Sequence, residues 1–168
     1  GSRQVLLAAR QDIETPLLVA ADGRRSAIRT ALDIRVAHKA YPQVALTAIL
    51  RHERDHRFTS TEFHTRHGPF TLVPLPDRCS SLVWLTAPDR AETLSAMDDA
   101  SLGRAVEDQA QSMLGKMELA GPRGKIDMGI DRIDTITAPR CVLMGDAAHA
   151  FPPIGAQGLN LGLRDISD

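Results

Sequence analysis

Two short stretches of the chain combine carboxylates, arginines, prolines and glycines in a way that suits ligand chemistry: ADGRRSAIR, from Ala21 to Arg29, and CVLMGDAAHAFPPIGAQGLNLGLRD, from Cys141 to Asp165. Each follows a short apolar run and places an aspartate and a glycine where that run ends. A carboxylate there can accept hydrogen bonds from ribose or ribityl hydroxyls, and a neighbouring glycine lets a ligand approach the backbone closely. In the first stretch Asp22 and Gly23 fill these places. Arg25 and Arg29, four apart on an expected helix, can present two guanidinium forks to one pyrophosphate. A solvated helix face beside an ordinary Asp-Gly turn is the plainer alternative.

In the second stretch Gly145 and Asp146 take the corresponding places, and Pro152 and Pro153 stiffen the chain into an extended approach. Gly155 and Gly158 then strip side chains from a loop whose amides lie at the start of a helix expected near Leu159. Such amides can stabilise negative charge developing on a ring carbonyl. Asn160 is placed to cap or orient that helix. His149 is placed to support the loop, and it reads as a hydrogen-bonded structural histidine rather than a catalytic one.

A third stretch, His52-Glu53-Arg54-Asp55-His56, satisfies the H-E-x-x-H pattern of zinc peptidases. The preceding residues alternate like a strand, and Arg51, Arg54 and Asp55 crowd charge into what would have to be a buried helix, so a polar turn is expected instead. The sequence contains no G-x-S-x-G and no P-loop lysine, and it offers no nucleophile paired with a base. Hydroxyl acceptors and amide donors without a nucleophile point to a cofactor as the carrier of the chemistry.

These motifs need an α/β frame to hold them. Val5 to Ala9 and Leu17 to Ala21 read as short strands, with a helix over Arg24 to Leu32. From Tyr41 to Thr86 the texture changes to four antiparallel strands around Val44–Leu50, Thr59–Thr65, Phe70–Leu75 and Ser81–Thr86. Ser101 is expected to cap a helix with Leu102, Val106, Gln109, Met113 and Met117 on one core-facing stripe, ended by Gly121-Pro122. One more strand is expected over Lys125 to Asp134, and a last one over Cys141 to Met144, delivering its Gly-Asp to the carboxyl edge where α/β sheets bind ligands.

The bulk numbers fit this frame. The chain has 168 residues, 43% hydrophobic and 24% charged, with a formal net charge of −1. Interspersed signs leave no electrostatic footprint for nucleic acid. Cys79 and Cys141 stand far apart and outside any metal-binding spacing, as small apolar residues of a reducing compartment. No apolar run approaches the ~18 residues of a membrane span, and GSRQ lacks a signal peptide's apolar region. A cytoplasmic location is expected.

ADGRRSAIR and GDAAHAFPPIGAQGLNLGLRD together resemble the Asp-Gly and Gly-Asp motifs of the single-component FAD-dependent aromatic hydroxylases with the para-hydroxybenzoate hydroxylase fold. The text between them, EFHTRHGPFTLVPLPDRCSSLVWLT, is similar to the ubiquinone-biosynthesis branch of that family. The resemblance implies an α/β (α+β) fold: an antiparallel substrate-binding sheet with a helix over residues 40–138, flanked by strand-turn-helix strips of a Rossmann-like FAD domain over 1–39 and 139–168. It implies that Asp146 contacts the FAD ribityl chain, that Pro153 lies beside the flavin and substrate, and that the Leu159 and Asn160 amides face the pyrimidine carbonyl. Asp22 and Gly23 would lie near the pyrophosphate, with Arg25 and Arg29 handling NAD(P)H.

The implied activity is hydroxylation of an aromatic substrate, a prenylated phenol, with NAD(P)H and dioxygen. It brings with it association with the inner-membrane periphery or a quinone-biosynthesis complex. The family's G-x-G-x-x-G unit does not precede Arg3, so a central fragment is expected, inactive alone and prone to self-association through strands left as edges. The alternatives are another flavoprotein aromatic hydroxylase, a prenyl-chain reductase, a non-catalytic binding module and, remotely, a zinc peptidase.

Overall fold

The computed structural model describes residues 3–6, 12–151 and 157–167. The chain is mixed α and β, with an antiparallel sheet and few helices, and it divides into two compact units, Gly1–Ala40 with Gly129–Asp168, and Tyr41–Met128. The chain passes from one to the other within β4 (Val36–His52) and returns within β9 (Gly124–Ile133). The sheet domain was expected to run on to residue 138, whereas the second unit ends at Met128. Beyond that point the Asp131 amide donates to Ala150 O at 3.2 Å, which ties the later half of β9 to the Gly-Asp stretch.

The second unit is built on alternation. β5 (Thr61–Thr65), β6 (Gly68–Leu75), β7 (Cys79–Thr86), β4 and β8 (Met117–Leu119) lie side by side in that order, and β9 pairs with β4. Register places Phe63 opposite Phe70, Phe70 opposite Trp84, and Trp84 opposite Leu46, so one face carries an aromatic row. The Phe70 and Trp84 rings meet edge to face at 5.2 Å, an arrangement favoured by the ring quadrupoles. Leu94, Leu102 and Val106 cover this row from α2 (Pro88–Ser95) and α3 (Asp99–Gln109).

Two elements differ from the sequence expectation. Helix α2 was not anticipated, although Pro88 at its first turn and Asp89 beside it are helix-start signals, with Ala91 and Leu94 three apart on its buried side. Helix α3 is capped by Asp98, which accepts from the Ser101 amide at 2.7 Å, rather than by Ser101. It stops at Gln109, because Gln111 and Ser112 take left-handed φ values of 53° and 50°; Met117 therefore opens β8 instead of extending the helix.

Gly103 is a point of close approach between α3 and β8. A β-carbon there would lie 2.5 Å from the Met117 carbonyl oxygen, closer than a side chain can approach backbone. Helix propensity alone predicts that Gly103→Ala gains up to ~1 kcal/mol. The packing predicts the opposite, a loss of about 1–3 kcal/mol from forcing the helix off the strand. Urea denaturation of the full-length protein reads the sign, and a variant as stable as the parent would contradict this packing.

Candidate functional site

The first unit holds an antiparallel pair, β1 (Arg3–Leu6) and β2 (Asp12–Thr15), and it brings the two motifs to one edge. β3 (Leu18–Ala20) and β11 (Cys141–Leu143) run parallel, with Leu18 opposite Cys141, Val19 opposite Val142 and Ala20 opposite Leu143. β10 (Thr137–Ala138) flanks β11 on its other side, antiparallel. The Met144 amide donates to Ala20 O at 2.9 Å, carrying the pairing to the last residue before both chains turn away. Asp22-Gly23 and Gly145-Asp146 therefore leave the carboxyl ends of neighbouring parallel strands, the position at which α/β sheets hold ligands.

Below this edge Ala20, Cys141, Leu143, Ala147 and Ala148 form a small core, joined by Ile28 and Leu32. Helix α1 (Ala27–Ala31) is shorter than expected and starts at a built cap. The Ser26 hydroxyl accepts from the Arg29 amide at 2.9 Å, and Asp22 Oδ2 accepts from the Ile28 amide at 3.2 Å. Partial burial raises the Asp22 pKa, but the Ser26 hydroxyl and the main-chain amides at the helix start outweigh it and hold the carboxyl below its usual value.

The arginines divide. Arg25 is exposed, as a phosphate-binding side chain must be. Arg29 is only 8% exposed, and its guanidinium donates to Ala147 O at 2.8 Å and to Arg24 O at 2.6 Å. The expectation of two adjacent forks facing one pyrophosphate is thus corrected: Arg29 binds the Asp-Gly stretch to the Gly-Asp stretch from inside, because burial obliges its donors to find main-chain acceptors.

Arg24 and Asp131 were not anticipated. Arg24 Nε donates to Asp131 Oδ2 at 2.7 Å, and the other Asp131 oxygen meets His38 Nδ1 at 2.5 Å. The His38 ring packs close to Gly129, where a β-carbon would lie 2.5 Å from its Cε1. The hydrogen bond to Asp131 raises the Arg24 pKa against burial, and the fields of Asp131 and Asp146 add to it. The Arg24 hydrogen bond is also the largest influence holding the Asp131 carboxyl below its usual value; burial opposes it, and His38 assists. Nothing in the alternation of Ile126, Met128 and Ile130 marks Asp131, since an outward aspartate on a strand looks like any solvated position.

In the Gly-Asp stretch, Gly145 takes φ +56° and Gly23 φ +83°, the left-handed region that favours glycine, and each faces open space where a side chain would stand. Gly145–Ala147 form a 3₁₀ turn, with the Ala148 and His149 amides both donating to Gly145 O. Asp146 is exposed on this turn. Pro153 and Gly155 lie outside the described residues. Helix α4 (Gly158–Arg164) begins where expected, and its first intrahelical bond runs from the Leu161 amide to Gln157 O, so the amides of Gly158, Leu159 and Asn160 precede the helical ladder. Leu159 is 76% exposed, and the Asn160 side chain donates to Gln157 Oε1 rather than capping the main chain.

The H-E-x-x-H stretch belongs to the second unit and is not helical. His52 ends β4, and its ring nitrogens meet Arg54 O at 2.6 Å and Ser80 Oγ at 3.1 Å. His56 lies in the following turn, with Nε2 donating to Leu75 O and Nδ1 accepting from the Phe58 amide. Both rings brace the turn, and the zinc-peptidase alternative is corrected accordingly. Among the described residues no group of acidic, histidine or cysteine side chains is placed to hold a metal, and no helix is long and apolar enough to cross a membrane.

The family model for an FAD binding domain matches residues 3–168. The chain is 34% identical over 157 residues to ubiquinone hydroxylase UbiL of Rhodospirillum rubrum, covering 94% of this chain and 37% of that protein. It is 31% identical to 3-demethoxyubiquinol 3-hydroxylase of Escherichia coli, covering 92% and 39%. Among solved structures it superposes on PqsL of Pseudomonas aeruginosa, crystallised with 2-aminobenzoylacetate, with a TM-score of 0.76 at 25% identity, covering 98% of this chain and 47% of that one. The chain belongs to the FAD binding domain family, and it spans about two-fifths of the length of the two hydroxylases.

The Asp131 cluster yields a pH signature. A carboxyl whose folded pKa lies below its unfolded value adds stability that is present above the unfolded pKa and is lost as pH falls through the folded one. Asp131→Asn is expected to cost about 1–3 kcal/mol near neutral pH, and the deficit should shrink as pH drops below the usual aspartate range. Denaturation of the full-length protein at a series of pH values checks this; a deficit independent of pH would contradict the ion-pair assignment.

Proposed function

We propose that the full-length protein is an FAD-dependent monooxygenase that hydroxylates a prenylated phenol in ubiquinone biosynthesis, consuming NAD(P)H and dioxygen. The observation that carries this reading is the parallel pairing of β3 with β11, which sets the Asp-Gly and Gly-Asp turns side by side at one carboxyl edge. Family membership and the names of the two bacterial relatives support it.

The residues present fit FAD. Gly23 and Gly145 open the edge to close approach, and exposed Asp146 offers a carboxylate to a polyol hydroxyl. Bound FAD supplies the redox chemistry and the activation of oxygen. The chain's own contribution is positional. Asp146 accepts from ribityl hydroxyls, and the Gly158, Leu159 and Asn160 amides face the pyrimidine carbonyl, the loop before them being freed of side chains by Gly155. Pro153 sets the approach of the substrate hydroxyl. Asp22 and Gly23 lie toward the pyrophosphate, where Asp22 also caps α1. Exposed Arg25 receives an NAD(P)H phosphate, while Arg29 acts by holding the two stretches together.

In the same reading, residues 1–39 and 139–168 are strips of the cofactor domain, and the substrate sheet lies within 40–138. A prenylated substrate resides in the bilayer, so the protein works in the cytoplasm at the periphery of the inner membrane or within a quinone-biosynthesis complex. The isolated segment self-associates through the edge of β3, whose Val19 is half exposed.

The full-length protein should purify with FAD and oxidise NAD(P)H when a prenylated phenol is supplied, giving a product one oxygen atom heavier by mass spectrometry. Asp146→Ala should weaken FAD binding about tenfold or more. Arg25→Ala should raise the KM for NAD(P)H and leave FAD affinity alone. Flavin binding with NAD(P)H oxidation but no oxygen in the product would overturn the hydroxylase reading in favour of a reductase.

A further inference from the structure

The carboxylate of Asp165 stands at the end of α4 and reaches back to the start of the Gly-Asp turn. Its Oδ2 accepts from the Gly145 amide at 2.7 Å, and its Oδ1 meets His149 Nε2 at 3.2 Å. The side chain is 19% exposed, so neither contact is freely replaced by water. By local rules this is a poor place for an acid, because a carboxylate at a helix C-terminus faces main-chain carbonyls, and the last turn favours cations. A residue that breaks a local rule while satisfying two donors twenty and sixteen positions away has a tertiary role.

Three features show what it holds. Gly145 is at φ +56°, a conformation that lets its amide turn toward α4. Gly162 lets the helix lie against that turn, since a β-carbon there would already be in contact with Gly145 Cα at 3.5 Å. The His149 ring, engaged by Asp165 on one side, stacks on Phe151 with planes 10° apart. One carboxylate therefore fixes both ends of the Gly-Asp stretch, the turn that presents Asp146 and the helix that presents the amides of Gly158 to Asn160.

We propose that Asp165 is a positioning residue for the cofactor: it clamps Gly145 and His149 so that Asp146 is held at the angle at which it binds FAD. The inference rests on the FAD-binding reading above. Asp165 contacts no cofactor atom in this role, and its effect passes through the Gly145 amide. A neutral amide at this position would keep one acceptor but turn a donor toward His149 Nε2 or toward the Gly145 amide, so Asp165→Asn should retain only part of the function.

The test is a double-mutant cycle in the full-length protein, read by quenching of FAD fluorescence. Asp165→Ala is expected to weaken FAD binding about tenfold or more, and Asp165→Asn by less. In the Asp146→Ala background the Asp165→Ala step should lose most of its effect, because the residue it positions is gone. Circular dichroism and urea melts of the apoproteins report folding separately, and the Asp165→Asn cycle supplies the comparison if Asp165→Ala does not fold. Equal FAD affinity in parent and Asp165 variants, or losses that add fully to that of Asp146→Ala, would overturn the proposal. Failure of the parent itself to bind FAD would instead overturn the function proposed above.

Discussion

The parallel pairing of β3 with β11 is the constraint from which the site follows. It joins segments that are far apart in sequence, so its closure carries an entropic cost of a few kcal/mol that the pairing must offset. Local strand propensity cannot do this for two three-residue strands. Arg29 adds a second bond across the same gap, its guanidinium donating to Ala147 O from 118 positions away, and Asp131 adds a third through Arg24 and the Ala150 carbonyl. Each is a charged or main-chain group with limited access to water, where an unmade bond is costly and a made one is correspondingly specific. The result is that Asp22-Gly23 and Gly145-Asp146 are held at one edge.

Much of this arrangement was legible in the sequence, for reasons that differ by element. The central antiparallel strands show themselves because one face is buried: Leu46, Ala48 and Leu50 alternate with Thr47 and Ile49, and Leu82 and Trp84 with Ser81 and Val83. The motif turns show themselves because a left-handed backbone leaves glycine as the residue of choice at Gly23 and Gly145. What stayed hidden is tertiary. The stripe of apolar residues through Val106 runs on to Met113 and Met117 at helical spacing, and only the left-handed pair Gln111-Ser112 ends the helix. Arg25 and Arg29 are alike in sequence, yet one is solvated and the other is interior. Asp131 and Asp165 carry no local mark, because their partners lie on other elements.

The same contrast applies to the proposed cofactor site. The residues nearest the expected cofactor are small or weakly functional alone: two glycines, an exposed aspartate and a short run of amides. In the proposed site their usefulness depends on orientation, which the hydrogen bonds of Arg29, Asp131 and Asp165 would supply from behind without touching the ligand. The H-E-x-x-H stretch shows the reverse case, a pattern with catalytic associations whose ring nitrogens are consumed in bracing a turn.

The central claim is that the Asp-Gly and Gly-Asp turns form one wall of a single FAD site. Hydrogen–deuterium exchange of the full-length protein with and without FAD tests it most directly. The account predicts that FAD slows exchange in peptides covering residues 20–25 and 144–149 together, while the H-E-x-x-H turn over 52–58 is unchanged. Saturating FAD that protects only one of the two turns, or neither, would contradict it.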